Sequence, residues 1–125
     1  MKTRIAQILS AAIALMGVVH IVATFTPLID GKLKPLDHQP HMSFLYMSVM
    51  CGMLIVLCGV LAFFLQTKIK DDVCMMRIYV IIVSALSVAG ILAVCFMPAN
   101  PFAIVLLCLT LSLAIASFVA KREAK

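Results

Sequence analysis

The chain has 125 residues, of which 65% are hydrophobic and only 12% charged, with a formal net charge of +5. A soluble domain is about 45–50% apolar and about 25% charged, so this composition excludes an ordinary water-soluble fold. It leaves no room for a soluble catalytic domain beside the apolar runs. Lys and Arg gather at the ends of those runs, where they set membrane orientation and meet lipid head groups, so nucleic acid is excluded as a partner.

The first apolar run covers Ile5 to Thr26. Met1-Lys2-Thr3-Arg4 ahead of it is the kind of start that opens a signal peptide. The run exceeds the h-region of about 7–15 residues and no small-x-small cleavage site follows, so it is expected to be a retained anchor. Pro27 ends the helix, because the residue before proline is pushed out of helical geometry. Ser10, Ala14, Gly17, Ile21 and Thr24 form a small, partly polar stripe at helical spacing, with His20 at its border. Small residues let helices approach closely in lipid, so this face is expected to point into a bundle.

A polar connection, Leu28 to Ser43, follows. Asp30-Gly31 reads as a turn, and Ser43 as the N-cap of the next helix. The second span is expected over 44–65, with Ser48, Gly52, Ile55 and Gly59 as its small stripe and Met47, Cys51, Leu54 and Cys58 beside it. Gln66 to Asp72 reads as a charged loop whose two aspartates suit the N-terminus of a third helix. That helix has its apolar core over 78–97, with Arg77 snorkelling to the interface. Asn100-Pro101 is an N-cap followed by proline at the first helical position, and the fourth span runs over 102–120. A basic tail, Lys121 to Lys125, follows.

These runs match a hydrocarbon core of about 30 Å. The expected fold is all-α: one domain, an integral membrane four-helix bundle, up-down-up-down. With both termini cytoplasmic, Lys2, Arg4, Lys68, Lys70, Arg77, Lys121, Arg122 and Lys125 lie inside and Lys32 and Lys34 outside, 8 against 2. The positive-inside rule favours that orientation, and a bacterial cytoplasmic (inner) membrane is the expected location.

An ionisable side chain within a span is costly and normally faces the bundle interior or a wet cavity. His20 is therefore the leading candidate, bordered by Thr24, Ser48 and Cys51 in an outward-opening pocket. The expected ligand is a lipid, a quinone-like molecule or a partner membrane protein, with a homo-oligomer as another form of partnership. An alternative is redox or metal handling. His20 with His38 or His41 would ligate haem, or a layer of His20, Cys51, Cys108, Met47, Met50 and Cys95 would hold copper, a metal that accepts soft sulfur and imidazole. Asp37, His38 and His41 also resemble a small metal loop, although structural zinc needs four ligands. No cysteine pair forms a CxxC motif, which argues against a disulfide framework. No span contains an acidic residue, which lowers the transporter reading. No serine–histidine–carboxylate set is apparent, so a non-enzymatic component is expected.

Gly17-Val18-Val19-His20, Thr24-Phe25-Thr26-Pro27 and the glycine-containing second span resemble the DoxX-like group of small bacterial four-helix membrane proteins. That resemblance implies a four-helix bundle, of a kind that sometimes works as a partner of another redox or membrane protein. It assigns no catalytic residue.

Overall fold

The computed structural model describes residues 2–27, 37–68 and 72–122. The described residues form four α-helices: α1 (Lys2–Thr24), α2 (His38–Lys68), α3 (Val73–Phe96) and α4 (Pro101–Arg122). Three of them, α1 to α3, are long and apolar enough to cross a membrane, and the apolar part Pro101–Ser117 of α4 is somewhat shorter. Large apolar side chains such as Ile8, Leu15, Val22, Leu54, Ile81 and Ile115 are exposed on the outer surface. A bundle made for water would turn charge outward at such positions, whereas lipid accepts apolar side chains there.

Local chemistry explains each helix end. At the end of α1, Phe25 N–H donates to Val22 O and Thr26 N–H to Ala23 O, both at 3.1 Å. These i→i−3 bonds tighten the last turn before Pro27. The helix therefore stops at Thr24, two residues short of the expected span end. The start of α2 also differs from expectation. It begins at His38, with His41 N–H donating to Asp37 O at 3.1 Å. Ser43 is thus an exposed residue inside the helix and not its N-cap. Pro40 is compatible with this because the first-turn N–H groups have no intrahelical partner to lose.

At its other end α2 continues to Lys68, so Gln66 is helical and buried, not part of a loop. In α3, the Asp72 carboxylate caps the helix by accepting from Cys74 N–H at 2.7 Å, and Met97 N–H closes the far end on Ala93 O at 2.9 Å. Asn100 caps α4 as its spacing predicts, its Oδ1 accepting from Phe102 N–H at 3.0 Å.

The buried positions follow alternating steps of three and four residues. In α2 they are Gly52, Ile55, Gly59, Ala62 and Gln66, and in α3 Tyr79, Val83, Leu86 and Gly90. In α4 they are Ala103, Leu106, Thr110 and Leu113. A mean step of 3.5 residues keeps one seam facing its neighbours along a left-handed bundle. The α1 stripe of Ser10, Gly17 and Thr24 also points inward. By contrast, the α3 face of Arg77, Ser84, Val88, Ile91 and Cys95 points outward.

Each helix packs against two others, α1 on α2 and α4, α3 on α2 and α4. The tightest approach joins α1 to α2. A β-carbon on Gly17 would lie 2.8 Å from Gly52 O, and one on Gly59 would lie 2.7 Å from Ala14 N. Contact order runs Thr24 with Ser48, Gly17 with Gly52, Ala14 with Gly59 and Ser10 with Gln66, so these two helices are antiparallel. Gly90 lies similarly against Leu107 and Thr110, and Tyr79 meets Ser117, so α3 and α4 are antiparallel as well.

Candidate functional site

Two polar clusters interrupt the apolar interior, one toward each end of the bundle. The first gathers His20, Thr24 and Ser48. Thr24 follows His20 by one helical turn, so its hydroxyl folds back and donates to His20 O at 2.8 Å. From α2, Ser48 Oγ stands 2.8 Å from Thr24 Oγ1 and 3.2 Å from His20 Nε2. The ring of Phe102, in the first turn of α4, covers the imidazole with centroids 4.8 Å apart and a 40° tilt. Gly52 leaves the space beside His20: a β-carbon there would approach His20 Cδ2 to 3.3 Å.

One proton arrangement satisfies all three hydrogen bonds. A carbonyl only accepts, so the Thr24 proton is committed to His20 O. Ser48 must then donate to Thr24 Oγ1, which leaves Ser48 Oγ as the acceptor for His20. The imidazole therefore carries its proton on Nε2 when neutral, an assignment made from the network. Its Nδ1 lone pair has no partner among the described residues. Such a nitrogen accepts a hydrogen bond from a hydroxyl or amide, or ligates a metal while the other ring nitrogen is held by its donor bond.

Cys51 is the fourth residue expected at this pocket. It is exposed, one position round the helix from Gly52, and makes no hydrogen bond to His20 among the described residues. The other sulfur-bearing residues of the expected layer are exposed too. Met47, Met50, Cys95 and Cys108 are all exposed on the outside of the bundle. Equal depth along a helix does not fix facing, because each residue turns about 100° from the last.

His38 and Asp37 are exposed at the start of α2 and His41 is partly buried. Asp30, the other carboxylate of the connection between α1 and α2, lies outside the described residues. Among the described residues no group of three or more His, Cys, Asp or Glu side chains could hold a metal ion. All five cysteines are free.

The second cluster is absent from the sequence reading. It takes one side chain from each helix: Ser10, Gln66, Tyr79 and Ser117. Gln66 Nε2 donates to Ser10 Oγ at 2.9 Å and to Tyr79 Oη at 3.0 Å. Tyr79 and Ser117 hydroxyls meet at 2.7 Å. Ser10 donates to Ala6 O at 2.9 Å and Ser117 to Leu113 O at 2.6 Å. The signal that finds Gln66 is the continuation of the three–four spacing beyond the apolar run.

A scan against protein-family models, a search of curated proteins and a search of solved structures each return no match. The resemblance to the DoxX-like group gains no support from them.

Proposed function

We propose that this chain is a four-span integral protein of a bacterial cytoplasmic membrane. It is an up-down-up-down bundle with both termini cytoplasmic and the His20 end facing outward. Support for that orientation comes from the excess of Lys and Arg at the ends assigned to the inside. The protein is a non-enzymatic component that binds a lipid or quinone-like molecule, or docks a partner membrane protein, at the site formed by His20, Thr24 and Ser48 under Phe102.

One observation carries this reading. The network commits Nε2 of His20 to Ser48 and leaves Nδ1 as an acceptor with no internal partner. A purely structural histidine would be expected to spend both nitrogens inside the bundle, since unpaired polar groups are costly in lipid. A ligand that brings a hydroxyl or an amide N–H, such as a hydroxylated lipid or the reduced, quinol form of a quinone, supplies the missing donor, whereas an oxidised quinone only accepts.

The test is native mass spectrometry of the full chain released from a mild detergent, beside His20→Leu. The wild type is expected to retain a lipid or quinone mass, or a second protein, that His20→Leu loses. Equal retention by both would sink the proposal. The same spectra read the redox alternative, because haem or copper bound with His38 or His41 has its own mass.

A further inference from the structure

The Ser10–Gln66–Tyr79–Ser117 node has a complete donor account. Ser10 and Ser117 each have one hydroxyl proton, and both go to carbonyls one turn back on their own helices, Ala6 O and Leu113 O. Tyr79 must therefore donate to Ser117 Oγ. That leaves Tyr79 Oη and Ser10 Oγ as acceptors, and the two amide protons of Gln66 fill them. Every donor in the node is used.

One acceptor is left over. Gln66 Oε1 is buried and has no hydrogen-bond partner, although the residue is only 6% exposed. Turning the amide over does not cure this. It would set Oε1 between the two hydroxyls and leave an NH2 group with two unmatched protons instead of one unmatched oxygen. A buried carbonyl oxygen without a donor forfeits the hydrogen bond that water gives it in the unfolded chain.

We propose that this node is a second binding site, for one neutral hydroxyl donor seated on Gln66 Oε1. The class follows from the accounting. No donor is free, so an anionic group such as phosphate or carboxylate finds nothing to bind. A single neutral carbonyl is poor company for an ammonium ion, which brings three donors and an unpaired charge. A hydroxyl satisfies the oxygen without introducing charge. Its source is water or a hydroxylated lipid head group, because Gln66 lies within the last turn of α2, close to the bundle end at which α1 begins and α4 finishes. The site is separate from that at His20. Ser10 and His20 stand about 15 Å apart along α1 at the α-helical rise.

The experiment uses the full chain carrying Gln7→Met and Gln39→Met, which leaves Gln66 as its only glutamine. The protein is labelled with ¹³C at the glutamine side-chain carbonyl and reconstituted in phosphatidylcholine, whose head group offers no hydroxyl. A parallel sample uses phosphatidylglycerol. The isotope-shifted infrared band of the carbonyl is then read. A hydrogen-bonded band in both lipids is expected if the donor is water. A hydrogen-bonded band only in phosphatidylglycerol also supports the site and assigns the donor to the head group. A band at the frequency of a free amide carbonyl in both lipids would overturn the proposal. The readout does not involve His20, so its failure leaves the function proposed above untouched.

Discussion

Gly17 and Gly52 face each other across the α1–α2 seam. A β-carbon on Gly17 would lie 2.8 Å from Gly52 O, and one on Gly52 would lie 3.1 Å from Gly17 O. The obstacle in each case includes a backbone carbonyl, which cannot turn aside as a side chain can. Gly52→Leu is therefore expected to pry the helices apart and cost about 1–3 kcal/mol, as overpacking does elsewhere. Thermal unfolding in detergent reads this as a clear fall in Tm. Ala11→Leu, on the exposed face of α1, should leave Tm nearly unchanged. If both variants melt alike, the close approach is not what holds the pair.

The outer cluster lends itself to a double-mutant cycle. Ser48 is the only bridge from α2 to both His20 and Thr24 among the hydrogen bonds of the described residues. Ser48→Ala and Thr24→Val should each destabilise, and the pair should be coupled by about 0.6 kcal/mol, the scale found for interhelical hydrogen bonds in lipid. Additive effects would mean that the two hydroxyls do not interact.

Tyr79→Phe tests the inner node in a different way. The ring stays, but Ser117 loses its incoming donor and one amide proton of Gln66 loses its acceptor. The expected loss is about 1–3 kcal/mol, the cost of stranding a buried donor. Ser112→Ala, also on α4 but exposed, serves as the control. A Tyr79→Phe protein as stable as the wild type would show that the node carries no stability.

Orientation can be read from two native cysteines. Cys74 and Cys95 are both exposed and lie near opposite ends of α3. In single-cysteine proteins on intact cells, a membrane-impermeant maleimide should modify Cys95 and reach Cys74 only after lysis. The reverse pattern would place the termini outside.

Much of the fold is legible in the chain because lipid makes strong demands. Apolar runs must be helical to satisfy their backbone, and the stripes through Gly17 and Gly52 mark the inward faces. The sequence reading misses what polarity hides. It ends the second span at Leu65 because Gln66 is polar, yet a helix continues on backbone hydrogen bonds whatever the side chain, and Gln66 keeps the spacing set by Gly59 and Ala62. Tyr79 escapes notice too, because nothing near it along the chain pairs it with Gln66 and Ser117. For Cys51, depth is legible and facing is not. The proximity of Thr24 and Ser48 to His20 is legible, but Phe102 is not, because no local signal pairs the start of α4 with the later turns of α1.

Among the described residues the buried polar side chains Ser10, Thr24, Gln66 and Thr110 are all uncharged. A transmembrane potential does work only on charge that moves through it, about 2.3 kcal/mol per elementary charge per 100 mV. In a membrane-spanning bundle, none of these four side chains would carry a formal charge through that field.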